Sequence, residues 1–174
     1  MDTYYIEYKH LVVVIALVLL GIALLVGMVV TPYVHGQPLL LTRENLAVKT
    51  YLDQYSQRLG VCDRERATLT ALLVPSSPGA AGLNVFEQSQ RAREAQARLN
   101  DLANIIEQTT VPSGLMPLDD ALRAAVAAHL DLATKTLTFV GRGDEASRTA
   151  AVAASQDAKA KADFARQTLR DALR

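Results

Sequence analysis

The chain has 174 residues, 50% hydrophobic but only 5% aromatic and without tryptophan, a composition that favours helices over a β-sandwich. Basic and acidic residues number 18 each, and the formal net charge of +0 indicates no nucleic-acid-binding surface. One cysteine excludes a disulfide framework within the chain, and three histidines leave too few ligands for a His/Cys zinc site.

The first predicted element is a membrane-spanning helix over residues 11–30, after a short N-terminal tail at residues 1–10. Residues 11–30 contain no charge, amide, hydroxyl or proline. At about 1.5 Å per residue they reach across the roughly 30 Å hydrocarbon core of a bilayer. A cleaved signal peptide is the alternative, but its apolar part is shorter, about 7–15 residues, and ends at a small-residue cleavage motif. The pattern therefore predicts a retained, single-pass signal-anchor.

The charges beside this segment predict its orientation. Lys9 and the terminal amine precede it, whereas the next Lys or Arg after it is Arg43. Because cytoplasmic flanks carry the excess of Lys and Arg, we expect a cytoplasmic N-terminus and a periplasmic C-terminal domain on the bacterial inner (plasma) membrane. Tyrosines that suit the two lipid–water interfaces are Tyr4, Tyr5, Tyr8 and Tyr33.

Small residues in the predicted span form a candidate surface for helix packing. At 100° per residue, Ala16, Ala23 and Gly27 lie within about 40° of one another, and the last two have small-xxx-small spacing. Because small side chains let a second membrane helix approach closely, we expect these residues to contact another subunit. The alternative is the ordinary abundance of Ala and Gly in membrane helices.

The rest of the chain is predicted to form a stalk and a helical domain. Residues 31–41 contain Pro32, Gly36 and Pro38, which end the membrane helix. Residues 42–174 are enough for one hydrophobic core. Loops rich in proline or glycine divide this part into four amphipathic segments, which predicts an all-α, antiparallel four-helix bundle. The predicted helices cover about 42–74, 84–110, 117–140 and 144–173.

Each predicted bundle helix carries an apolar seam that we expect to be buried. The first three seams contain mainly large aliphatic side chains, whereas the fourth is mostly alanine. The predicted seams contain Val48, Leu52, Tyr55, Leu59, Cys62, Leu69 and Leu73; Ala92, Ala95, Leu99, Leu102 and Ile106; Leu122, Val126, Leu130, Ala133, Leu137 and Val140; and Ala150, Ala153, Ala160, Phe164 and Leu173.

Helix ends explain several polar residues and glycines. Asn84 is followed three residues later by Glu87, which predicts a capping box. Asp119 and Asp120 suit the positive N-terminus of the third bundle helix, and adjacent carboxylates do not converge on one substrate as a catalytic pair does. Gly141 is the expected C-cap of that helix.

The histidines and the cysteine do not form a catalytic or metal-binding pattern. Cys62 is expected to be a core thiol rather than a nucleophile. His10 and His35 flank the predicted span and are expected at the two lipid–water interfaces. The alternative is tetrapyrrole ligation, but neither histidine has a second ligand at helical spacing. His129 is expected at the boundary of the core.

No motif of an enzyme appears elsewhere in the sequence. There is no phosphate-binding glycine loop, no nucleophile elbow and no di-iron signature, which requires two Glu-x-x-His pairs. Arg91, Arg93 and Arg98 alternate with acidic residues and are typical of a solvated face, the alternative being an anion site. We therefore expect a non-catalytic chain that itself binds no cofactor and no metal.

The predicted anchor at 11–30 and bundle at 42–174 resemble two groups of bacterial proteins in architecture. One is the periplasmic four-helix sensor domains of chemoreceptors and histidine kinases, although this sequence has no second span and no transmitter. The stronger resemblance is to single-span subunits of respiratory or photosynthetic electron-transfer complexes, such as the quinol-oxidising alternative complex III of filamentous phototrophs. It implies that haem or iron–sulfur clusters belong to partner subunits.

The expected function is therefore that of an accessory subunit that stabilises a larger membrane complex. Its expected partners are other membrane subunits and the lipid bilayer, with no nucleic acid. The alternative is an extracytoplasmic sensor or ligand-binding module that signals through a partner.

Overall fold

The computed structural model describes residues 3–30, 33–34, 37–38, 43–74 and 82–173. These residues are helical apart from turns and one pair of two-residue strands, so the prediction of an all-α chain with a helical bundle is confirmed. In chain order, the elements are α1 (Thr3–Val30), β1 (Tyr33–Val34), β2 (Gln37–Pro38), α2 (Arg43–Leu72), α3 (Val85–Gln108), α4 (Met116–Arg142) and α5 (Glu145–Ala172).

The chain divides into two compact units, and the first contains Met1–Lys49 together with Leu173–Arg174. Its helix α1 includes the whole of the predicted span at 11–30. In the predicted stalk, β1 and β2 pair antiparallel. Among the described residues, no helix is both long enough and apolar enough to cross a membrane. The insertion of residues 11–30 into a bilayer stays a prediction.

The second unit, Thr50–Ala172, is a helical bundle formed by most of α2 together with α3, α4 and α5. Contacts between α2 and α5 show that these two helices run in opposite directions. Near the start of the bundle, Tyr55 bonds to Ala165, whereas further along α2 Thr70 bonds to Ser155. Helix α4 lies close to both α3 and α5.

The core follows the predicted seams closely in α2 and α3. All five predicted seam residues of α3 are buried, and in α2 only Val48 of the predicted set is partly exposed. The capping box is present, because the Asn84 side chain accepts from the Glu87 amide at 2.9 Å while Glu87 accepts from the Asn84 amide at 3.0 Å. The 3.6-residue period and a local cap were therefore sufficient to orient α3.

Helix α4 buries a wider face than its predicted stripe. Leu130 and Leu137 are only partly buried, whereas His129, Leu132 and Thr136 are completely buried. Because α4 lies against α3 on one side and α5 on the other, both flanks of its apolar face are covered.

The end of α4 also differs from prediction. The expected C-cap, Gly141, lies inside the helix, and the helix ends at Gly143, whose φ is 69°. The Gly143 amide donates to the carbonyl oxygen of Phe139 at 2.7 Å. A left-handed residue is needed only where the chain leaves the helix, and of the two glycines around Arg142 it is the second that occupies this position.

The predicted seam of α5 was wrong. Ala150, Ala153 and Ala160 are exposed, Phe164 is 60% exposed, and Leu173 lies beyond the helix with an exposed side chain. Alanines occur on two faces of α5 that are about 115° apart at 100° per residue. Both faces are rich in alanine, so composition could not show which of them is buried. The large side chain of Phe164 favoured the wrong face. The buried face contains Ser147, Ala151, Ala154, Ala158, Ala162, Ala165 and Ala172.

Candidate functional site

The small residues predicted to pack against another membrane helix lie on α1. Ala16 and Ala23 are both exposed. Gly27 lies outside the residues whose side chains the structure describes, as do His10 and His35. Helix packing by Ala16, Ala23 and Gly27 stays a prediction.

A buried carboxylate connects α2 to the first turn of α4. Asp119 is 2% exposed; it accepts from the Tyr51 hydroxyl at 3.1 Å and from Arg123 Nε at 2.5 Å. Burial, followed by the negative charge of Asp119, raises the pKa of Tyr51. The positive N-terminus of α4 accounts for an acidic residue at this position. The burial of the Asp119 side chain, however, depends on Tyr51, which is 68 residues away in sequence. Asp119 is therefore a link between helices, whereas the adjacent Asp120 is exposed.

A second ion pair links α2 to α3 and involves one of the arginines predicted to lie on the solvated face of α3. Arg98 donates from Nε and Nη2 to the two carboxylate oxygens of Glu65, at 2.8 and 2.9 Å. Glu65 is buried, and this hydrogen bond raises the pKa of Arg98. Arg91, Arg93 and Arg98 are all exposed as expected, and Arg98 in addition belongs to an interhelical ion pair. Its partner on another helix could not be identified from the alternation of charges along α3.

Cys62 lies in the interior of the bundle, in agreement with its prediction as a core thiol. Its side chain is completely buried. Burial, followed by the negative charge of Asp63, raises the pKa of the thiol to about 12. Cysteine reacts as the thiolate, so Cys62 is an uncharged and unreactive side chain at neutral pH.

His129 was expected at the core boundary, and this prediction was wrong because the ring is completely buried. Its Nδ1 donates to the Ala125 carbonyl oxygen at 2.7 Å, and its Nε2 has no hydrogen-bond partner among the described residues. Burial lowers the pKa of His129, and the positive charge of Arg66 adds to this effect. The missed signal was its heptad spacing from Leu122 and Thr136, both buried on the same helix.

Asp119 and Glu65 connect helices through their hydrogen bonds. His129 makes no hydrogen bond to the Cys62 thiol, since Nδ1 is bonded to backbone and Nε2 is unpartnered. Asp63 pairs with Arg166, which also bonds to Asp163 at 2.7 Å. Within residues that the structure describes, no three His, Cys, Asp or Glu side chains are grouped so that they could hold a metal ion.

Arg58 is the buried cation that sequence reasoning missed. It is 8% exposed, and its Nη2 donates to Gln54 Oε1 at 3.1 Å and to Thr109 Oγ1 at 2.8 Å. Both acceptors are uncharged. Its Nη1 is buried and has no hydrogen-bond partner among the described residues. A buried guanidinium that is incompletely bonded is costly, so Arg58 is a candidate for a role outside the fold itself.

Comparison with known proteins does not assign this arrangement to a family. No family model, no curated protein and no solved structure matches the chain.

Proposed function

We propose that this protein is a non-catalytic accessory subunit that anchors to a bacterial membrane and stabilises a larger protein complex of respiratory or photosynthetic electron transport. In this proposal, residues 11–30 of α1 span the inner membrane, and α2 to α5 form an antiparallel four-helix bundle on the extracytoplasmic side. Any haem or iron–sulfur cluster belongs to partner subunits.

The observation that carries this proposal is the exposure of α1. Every residue at 11–20 and 22–26 is exposed, and all are apolar. A helix that is apolar on all sides requires an apolar environment, and a continuous exposed apolar surface marks contact with a membrane or with other proteins. A bilayer together with a neighbouring membrane helix supplies both kinds of contact.

The bundle supports a structural role rather than catalysis. Its most buried carboxylates are already bonded, Asp119 to Tyr51 and Arg123, and Glu65 to Arg98. Groups that are bonded in this way stabilise the arrangement of helices. The uncharged Cys62 thiol is likewise suited to the core.

Purification through an affinity tag in mild detergent tests the proposal directly. We expect a stoichiometric complex that includes other membrane subunits, and a chain that purifies alone would contradict the accessory role. Gly27→Leu should reduce the yield of the complex, because a larger side chain separates packed membrane helices. Val18→Leu, on another side of α1, is the matched control and should leave the yield unchanged.

The proposed orientation has its own test. Lys9 precedes the apolar segment, and the positive-inside rule therefore favours a cytoplasmic N-terminus. Protease added to spheroplasts should remove a tag at the C-terminus. Protection of that tag until the membrane is opened would contradict the orientation while leaving the accessory role intact.

A further inference from the structure

A groove between α2 and α3 contains the buried Arg58. Its volume is about 590 Å³. The α2 side is formed partly by Gln57, Arg58, Gly60 and Arg64, and Ile105 belongs to the α3 side. We call this surface the Arg58 groove. It combines positive charge with exposed apolar surface, because Ile105 is 53% exposed.

The hydrogen bonding of Arg58 indicates the chemistry of an occupant. The guanidinium is bonded only at Nη2, to the neutral Gln54 and Thr109, and the buried Nη1 has no partner among the described residues, so an incoming group reaches Nη1 only when the side chains around it shift. A guanidinium presents donors in a fork that matches the two oxygens of a carboxylate. A buried cation is stabilised most by an anion that completes its bonding. An incoming Asp or Glu side chain supplies such an anion.

The apolar part of the groove favours a protein segment over a small anion. Val61 and Leu102 line it together with Ile105, and these side chains offer nothing to a free inorganic ion. Gly60 lies in the interior of α2, and a Cβ at this position would meet no atom within 4 Å. Glycine weakens a helix relative to alanine but permits close approach of another backbone. The packing of the described residues therefore gives no reason for glycine here, whereas a docked chain does.

We propose that the Arg58 groove binds an acidic segment of a partner subunit. One Asp or Glu of that segment pairs with Arg58, and aliphatic side chains beside it contact Val61 and Ile105. Arg64 adds positive charge at the rim and attracts further acidic residues. The inference rests on the proposed accessory role, because it requires a partner subunit, and it identifies the surface and the charge that the partner must present.

Photo-crosslinking in the full chain tests this proposal in the membranes of the cells that produce it. A benzoylphenylalanine at position 57, in place of the groove residue Gln57, should cross-link to one partner segment that contains Asp or Glu. The same probe at Gln156, an exposed position on α5, is the matched control and should not label that segment. Mass spectrometry of the cross-linked peptide identifies the residues.

Charge variants then test the ion pair. Arg58→Gln should lower the cross-linking yield by at least about tenfold, since losing one member of a desolvated charge pair weakens binding strongly. Arg93→Gln, which removes an exposed arginine, should have no effect. Exchanging the charges, with Arg58→Glu in this chain and arginine at the acidic residue of the partner, should restore the cross-link. Circular dichroism of each purified variant establishes that the helices remain folded.

The outcomes separate this inference from the accessory role. A cross-link to a neutral or basic segment, to lipid or to a second copy of this chain would overturn it, as would no cross-link. An unchanged yield in a folded Arg58→Gln variant would also overturn it. If the wild-type chain purifies in a stoichiometric complex while the groove gives no cross-link, the accessory role is retained and only the groove proposal fails.

Discussion

Helices α2 and α5 contribute different chemistry to the same bundle. Large side chains dominate the buried face of α2, including Tyr55 and Leu69, together with the buried charges of Arg58 and Glu65. The buried face of α5 consists of alanines and one serine. Small side chains let α5 lie close to α4 but remove little apolar area from water per residue. Helix α2 should therefore supply most of the stability of this helix pair, and α5 should supply close packing.

The largest expected effect is the loss of a large side chain from α2. Leu69→Ala should lower the free energy of unfolding by about 3 kcal/mol, because the buried leucine leaves a cavity. The matched variant in α5, Ala158→Gly, should cost only about 1 kcal/mol through helix propensity. Urea unfolding of the full chain in detergent, followed by circular dichroism, measures both. Equal losses would contradict the division of roles between the two helices.

The charged contacts of α2 should contribute the next largest effect. Asp119→Asn removes the negative charge that accepts from Tyr51 and Arg123, and we expect a loss of about 2 kcal/mol. Asp120→Asn is the matched control on the adjacent, exposed residue and should change stability by less than about 0.5 kcal/mol. The same urea titration measures both variants. A similar loss of stability from the two substitutions would show that the helix N-terminus, rather than the contact with α2, explains why position 119 is acidic.

Acid should weaken the bundle through His129. Because the folded-state pKa of His129 is lowered, the unfolded chain binds a proton first as the pH falls below about 6.5. The stability linked to this ring is fully present above that pH and is lost below it, by at most about 1.4 kcal/mol per pH unit. Unfolding at pH 7.5 and 5.5 measures the slope. In the His129→Gln variant, the free energy of unfolding should change less between the two pH values. An equally large change in this variant would show that other titrating groups cause the effect.

The smallest expected effect is a gain in stability on the solvent side of α2. Gly60→Ala should raise the free energy of unfolding by about 1 kcal/mol or less, because alanine favours helix and the new Cβ meets no atom. Gly143→Ala is the contrasting variant, and it should be destabilising because φ there is 69°. Thermal unfolding distinguishes the two signs. A loss of stability in Gly60→Ala would mean that the groove requires glycine within the isolated chain.

Much of the fold was predictable because it depends on short-range periodicity. In α3, leucines and alanines recur on one face and Asn84 caps the helix with Glu87, so both orientation and start follow from local sequence. In α5, two alanine faces are equivalent in composition. The choice between them depends on how closely α4 approaches, which is a property of the assembled bundle.

The buried polar residues could not be predicted for a related reason. Arg58, Asp119 and His129 all lie in positions where a solvated side chain would normally be expected. Their burial depends on partners or neighbours on other elements, such as Thr109 for Arg58 and Tyr51 for Asp119. A single sequence records each residue but not these pairings, so the candidate groove emerged only from the three-dimensional arrangement.

Because Cys62 is buried, the reactivity of its thiol can be used to measure local or global opening of the helical bundle. As the one cysteine in the chain, it gives every copy a single thiol that a water-soluble reagent reaches only when the bundle opens. The rate of thiol labelling therefore measures how often the core opens, and no engineered probe is needed. If partner subunits stabilise the closed bundle, Cys62 should be labelled more slowly in the complex than in the separated chain.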